Sequence, residues 1–196
     1  MHVDRAQLDV AAGAPYAVEQ LVAAEYPARA FHQELEQAVL GRPHPQGTAA
    51  PLDLVGDRIE HEIRRTVTET DNLLFSTMTH NPQPLHIDAE AAKASEFGQI
   101  LVNGTFTFAL MVGLSVGDTT LGTLVANLGY DKLVMPKPVF IGDTLRAETE
   151  VIALKESKSR PDAGVVTFLH RCLNQRNEVV CSCERAALLK RAPTDI

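Results

Sequence analysis

The chain has 196 residues, a length for one domain with room for an extension, and 45% of them are hydrophobic, enough for a sizeable core. Aromatic residues are only 5% and Trp is missing, so that core is aliphatic. A net charge of −7 argues against a nucleic-acid surface, and no apolar run reaches the roughly 18 residues that a membrane span needs.

The Met1 end lacks the charged-then-apolar pattern of a secretion signal. Three cysteines, an odd count, do not suggest a disulfide framework. Both features lead to the expectation of a cytoplasmic protein. Cys181 and Cys183, two apart, fall on one face of a strand and read as buried core thiols.

Residues 1–54 differ in character from the rest. Residues 17–40 allow one or two helices interrupted at Pro27, and Gly41-Arg42-Pro43-His44-Pro45-Gln46-Gly47 is a linker by composition. This region is expected to be a helical arm and linker ahead of one domain over residues 55–196. Among its histidines, His32 and His44 show no metal-ligand spacing, and neither does His61 further on.

Residues 59–70 alternate, with Ile59, His61, Ile63 and Val67 set against charged neighbours, which predicts a half-buried strand. Residues 72–78 read as a short helix or turn. They lead into Thr79-His80-Asn81-Pro82-Gln83-Pro84-Leu85-His86-Ile87-Asp88, where polar chemistry is densest. A proline fixes its own φ and pushes the residue before it towards extended backbone. Asn81 and Gln83 are therefore predicted to be extended, in a rigid loop that presents Asn81, Gln83 and His86. Asp88 is placed to cap an Ala-rich helix over residues 89–94.

Residues 101–116 are almost wholly apolar, as expected of a helix buried on all sides. Asn103-Gly104 falls at its N-terminus, where unpaired N–H groups and the helix dipole suit an oxygen gaining negative charge. A plain tight turn is the other reading of Gly104. Strands follow at residues 121–128, 133–134, 144–154, 165–174 and 179–189, with a hairpin turn at 175–178. Leu145, Ala147, Thr149 and Val151 share one face of their strand. Successive strands without intervening helices imply an antiparallel sheet and an α+β fold.

Several of these stretches carry a resemblance. They are Pro84-Leu85-His86-Ile87-Asp88 with its Ala-rich helix, Phe97-Gly98, Val102-Asn103-Gly104, and Pro138-Val139-Phe140-Ile141-Gly142-Asp143-Thr144-Leu145. Their order and spacing over roughly residues 55–190 resemble the MaoC-like (R)-specific enoyl-CoA hydratases and dehydratases. That family has the hot-dog fold, an antiparallel sheet wrapped around a long central helix. Its motif Gly-Asp-x-Asn-Pro-Leu-His, aligned on His86, puts the catalytic Asp on Asn81, the Asn on Gln83 and the Gly on His80. A subgroup associated with hydration of mesaconyl-CoA (2-methylfumaryl-CoA) or β-methylmalyl-CoA carries Asn at the Asp position, and this chain is most similar to that subgroup. Asn103-Gly104-Thr105-Phe106-Thr107 and residues 156–161 fit it too.

The resemblance implies His86 as the acid/base group and the Gly104 N–H as the partner of the thioester oxygen. Histidine titrates near neutrality, which suits proton transfer. Asn81 does not titrate, so it orients water through its carbonyl and NH₂. Either His86 performs both proton steps or a carboxylate of the substrate stands in for the missing acid. Gln83, Asn103, Lys137, Lys158 and Arg160 are candidate substrate-binding residues. Lys137, Lys158 and Arg160 also read simply as solvated surface charges.

No cofactor is expected beyond the CoA of the substrate, no metal, no nucleic acid and no membrane. A homodimer or larger homo-oligomer is expected. The alternatives are a non-catalytic acyl-CoA-binding subunit, which the missing Asp favours, and a dehydratase acting on 3-hydroxyacyl-acyl carrier protein. A thioesterase needs an acid near the central helix, and residues 101–116 contain none.

Overall fold

A computed structural model describes residues 55–191, so the helical arm and linker expected over residues 1–54 lie outside the described residues. In chain order the elements are β1 (Arg58–Thr66), α1 (Glu69–Met78), α2 (Pro84–Ile87), α3 (Ala89–Lys93), α4 (Gly104–Thr119), β2 (Leu124–Val134), β3 (Thr144–Glu156), β4 (Ala163–Leu173) and β5 (Val179–Lys190). The strands form one sheet in the order β1-β3-β4-β5-β2, every neighbouring pair antiparallel. Helix α4 packs on the sheet against β1, β3, β4 and β5. This is the helix-in-sheet arrangement that the family resemblance implies.

The alternation read in β3 is a burial pattern. Leu145, Ala147, Thr149 and Val151 are all buried. The same face continues through Phe168, His170 and Cys172 on β4 and Cys181, Cys183, Arg185 and Ala187 on β5. Met111 and Leu114 of α4 close the core against Val67, Val102 and Val139. Burying a side chain of this size contributes about 1.5–3 kcal/mol. The three cysteines are free and buried, and burial pushes the thiols of Cys172 and Cys181 up to about 12 and that of Cys183 up to about 11. They are inert packing groups.

Several boundaries differ from expectation, each for a local reason. Leu101 and Val102 are not helical. Leu101 forms an isolated bridge with Phe140, and the Val102 N–H donates to Val139 O at 2.9 Å. The helix starts only after Asn103 caps it. It then runs on to Thr119 and so gains Asp118, an acid outside the acid-free 101–116 window. The two short strands expected at 121–128 and 133–134 are one bulged strand, with Lys132 at φ 49° and the register against β5 shifting. The Gly142-Asp143 pair has a local cause as well. Gly142 turns at φ 92°, and the Asp143 carboxylate accepts the Phe140 N–H at 2.9 Å.

Asp118 meets a buried polar row that crosses the sheet. His61 Nδ1 lies 2.7 Å from Asp118 Oδ2, and His61 Nε2 lies 2.7 Å from Thr149 Oγ1. Thr149 Oγ1 in turn lies 2.8 Å from His170 Nδ1. Burial, with the charges of Arg185 and His61, pushes His170 down to about 3. Asp118, His61 and Thr149 have the spacing of a nucleophilic triad, but Thr149 is 1% exposed and already bonded on both sides. The row is therefore internal architecture, beyond the reach of a substrate.

Candidate active site

Helix α1 begins at a capping box, in which the Asp71 N–H donates to Thr68 Oγ1 and the Thr68 N–H donates to Asp71 Oδ2. At its other end the His80 N–H donates to Thr77 O at 3.1 Å and the Asn81 N–H to Ser76 O at 2.9 Å. With His80 at φ 53°, these two bonds make a Schellman ending. The left-handed residue is where the resembling family keeps its Gly, and a histidine there carries a steric cost that glycine does not. The motif delivers Asn81 directly after a fixed helix end.

Past Asn81 the backbone folds on its own side chain. The Gln83 N–H donates to Asn81 Oδ1 at 3.1 Å. The Asn81 carbonyl is thereby engaged, and its NH₂ is the end left to meet a ligand. Gln83 is extended, as expected of a residue before proline. His86, however, sits on a single helical turn, α2, instead of in an extended loop. Pro84 at the first helical position, with φ preset, starts that turn. Asp88 ends it and caps α3, accepting from the Glu90 and Ala91 N–H groups at 3.0 Å each.

The segment before α4 holds the His86 turn in place. The Leu101 N–H donates to Leu85 O at 3.0 Å, and His86 Nδ1 lies 2.8 Å from Leu101 O. A carbonyl only accepts, so Nδ1 carries the proton and Nε2 keeps a free lone pair. Asn72 ties the two halves together, since its Nδ2–H donates to His86 O at 2.8 Å while its Oδ1 accepts the Asn103 N–H at 2.9 Å. Ser76, one helical turn on, accepts from Asn103 Nδ2 at 3.3 Å. Phe75 on α1 packs edge-on against Phe106 on α4, with centroids 5.6 Å apart.

Asn103 was expected to touch substrate. It is 2% exposed, and its amide is spent inside the protein: Oδ1 accepts from the Thr105 N–H at 3.0 Å and Nδ2 reaches Ser76. It builds the helix start. Gly104 follows as the first helical residue, and its N–H has no acceptor among the described residues. A Cβ at Gly104 would run into the Met135 side chain, so glycine is what lets α4 and Met135 approach.

Beside Gly104 lies a cavity of about 320 Å³, lined by Gly104, Thr107, Leu101, Met135, Lys137 and Val139 among others. Lys137 is half-exposed, with Nζ bonded to Glu178 at 2.9 Å. Lys158 and Arg160 do not come to this cavity. They belong to the β3–β4 connection, at the far end of β3 from Thr144, and Arg160 pairs with Asp162 at 2.7 Å. Thirteen residues of strand separate the two ends, roughly 40 Å at the usual rise. No three His, Cys, Asp or Glu side chains converge as a metal site among the described residues. No described helix is long and apolar enough to cross a membrane.

Asn72, Ser76, Thr107 and Met135 belong to the site without standing among the candidate residues of the sequence. Asn72 and Ser76 carry one signal, because they lie four apart on a helix whose Leu73 and Leu74 point outward at 47% and 54% exposure. Helix α1 is inside-out, polar face inward.

A stiff His-bearing turn set against the free end of a core helix, on a sheet of this topology, defines a hot-dog domain with a candidate site at the helix start. Residues 52–170 match the MaoC like domain, and the chain belongs to that family. It is 38% identical over 140 residues to mesaconyl-CoA hydratase from Cereibacter sphaeroides, covering 71% of this chain and 40% of that relative. The chain thus spans less than half the length of this relative. It is also similar to the crystal structure of the MaoC-like dehydratase from Rhodospirillum rubrum, with 35% identity, TM-score 0.65, and coverage of 75% of this chain and 99% of that one. A conserved hypothetical protein from Mycobacterium tuberculosis with a double hot-dog fold shares the fold at 20% identity and TM-score 0.66, covering 73% of this chain and 44% of that one.

Proposed function

We propose that this protein is a hydro-lyase that adds and removes water across the double bond of an enoyl-CoA thioester, with a branched dicarboxylic acyl group such as mesaconyl as its substrate. One observation carries the reading. The 101–104 segment serves both ends of the reaction, because its Leu101 carbonyl sets the His86 tautomer and its Gly104 N–H is left free. His86 Nε2 takes the proton of the attacking water and returns a proton to Cα. The Gly104 N–H, at the positive end of α4, holds the thioester oxygen while it carries charge. Asn81 steers the water through its NH₂. The acyl group enters the cavity beside Gly104, with Lys137 near its mouth for a carboxylate or a CoA phosphate. CoA arrives as part of the substrate, and no other cofactor enters this scheme.

In this reading His86 moves both protons, and the second carboxylate of the substrate takes over only the water-orienting part of the acid that Asn81 lacks. Asn81→Asp is close to isosteric and keeps an acceptor for the Gln83 N–H, while turning the NH₂ into a second acceptor. We expect Asn81→Asp to raise crotonyl-CoA hydration by about tenfold or more, within the range of a positioned base, and to narrow the preference for mesaconyl-CoA. Steady-state kinetics on both esters checks this. An unchanged crotonyl-CoA rate would remove Asn81 from the water site.

A homodimer completes the proposal. Strand β2 is an edge of the sheet, and Leu124, Leu128, Tyr130, Leu133 and Val134 on it are 38–55% exposed. A long apolar edge is a template for pairing with another strand, and a second copy supplies one by two-fold symmetry. Leu128→Lys is expected to shift the mass seen by light scattering from dimer to monomer. A dimer of unchanged stability would place the interface elsewhere.

A further inference from the structure

Most of the wall of the cavity beside Gly104 is hydrocarbon, and only two of its lining side chains, Thr107 and Lys137, are polar. Thr107 is 2% exposed, and its Oγ1 has no hydrogen-bond partner among the described residues. A buried helical hydroxyl ordinarily donates to a carbonyl three or four residues back. Its neighbours on α4 do so: Ser115 Oγ donates to Val112 O at 2.7 Å, and Thr119 Oγ1 to Ser115 O at 2.6 Å. Thr107, one of the residues that line this apolar cavity, is left with a buried, unspent donor, an arrangement unfavourable to the empty protein.

The position of Thr107 suggests what it is for. It lies three residues after Gly104, on the same helix face and about 4.5 Å further along the axis. That is close to the span of a four-carbon acyl group from its thioester oxygen to a substituent at the far end.

We propose that Thr107 determines acyl specificity: its hydroxyl hydrogen-bonds an oxygen function at the far end of an acyl group whose thioester oxygen sits at the Gly104 N–H. The inference rests on the acyl-thioester reading of the site and narrows it to oxygen-bearing acyl groups. A carboxylate oxygen accepts the Thr107 hydroxyl bond more strongly than a neutral hydroxyl does, which favours a carboxylate at that end. A plain hydrocarbon chain would bury the Thr107 donor without a partner and so be disfavoured.

The test is equilibrium binding of three saturated four-carbon thioesters that differ only at the far end: succinyl-CoA, 4-hydroxybutyryl-CoA and butyryl-CoA. The wild-type protein is expected to rank them in that order. Thr107→Val is expected to cut the succinyl-over-butyryl preference about tenfold or more, and Thr107→Ser to retain it. Thr120→Val is the control, because Thr120 is also buried and unpartnered but does not line the cavity. A preference unchanged in Thr107→Val, or lost equally in Thr120→Val, overturns the proposal. Wild-type protein that binds all three esters equally overturns it while leaving the hydratase reading standing. Wild-type protein that is folded yet binds none of them overturns both.

Discussion

If the proposed function holds, replacing His86 by Gln is expected to lower turnover of the enoyl thioester by about 10²–10⁴-fold, the range of a lost general acid–base group, and to leave the fold in place. A Gln amide can still donate to the Leu101 carbonyl, so the turn keeps its anchor. What disappears is the imidazole nitrogen that the proposed scheme uses to carry the proton. His86 is only half-buried and its backbone carbonyl is held by Asn72 independently of the ring, so a large stability loss is not expected. Initial rates with the matching melting curve separate the two effects. Turnover within about threefold of wild type would show that another group moves the proton, since even a weak general base contributes more than that.

Asn72→Ala is expected to cost both stability and rate. The substitution leaves the buried Asn103 N–H without an acceptor and the His86 carbonyl without its donor. Each unsatisfied group costs about 1–3 kcal/mol, so the sum is about 2–6 kcal/mol, which lowers the melting temperature by roughly 4–24 °C for a chain of this size. Asn72 touches no reacting atom in this scheme; it positions the His86 turn relative to the helix start. Its kinetic signature is therefore a fall in kcat larger than any rise in KM. Asn72→Asp keeps the acceptor for the Asn103 N–H and loses the donor to His86, so it falls between wild type and Ala in melting temperature. A melting temperature for Asn72→Ala within about 2 °C of wild type would mean that the two helices are coupled by something other than this amide.

The sheet and the core helix were legible because their signals are periodic. Leu145, Ala147, Thr149 and Val151 alternate by two and announce their burial; the apolar 101–116 run announces a helix, but α4 buries one side only and leaves Thr105, Ala109 and Gly113 exposed, against the expectation of burial on all sides. Asp88 as a cap and Gly104 at a helix start were legible because each is a local device. The boundaries of α4 were not, since Leu101 and Val102 take an extended shape only because Val139 and Phe140 lie alongside them. The Schellman ending of α1 was hidden by His80, a residue type that does not advertise a left-handed turn. The inward face of α1 was hidden because Asn72 and Ser76 are buried by polar partners far along the chain, whereas composition suggests that Leu73 and Leu74 should be buried. Among the candidate binding residues, Lys137 lines the cavity, while Lys158 and Arg160 were grouped with it only by charge. Three-dimensional distance, which charge does not encode, separates them.

The most direct measurement is the absorbance of the conjugated thioester after mesaconyl-CoA is mixed with the wild-type protein and, in parallel, with His86→Gln. The account predicts that the signal falls to a hydration equilibrium with wild type, that it falls far more slowly with the variant, and that crotonyl-CoA is the poorer substrate. A folded wild-type protein that binds these esters yet changes neither spectrum would contradict it and make this domain a carrier of acyl-CoA instead of a hydratase.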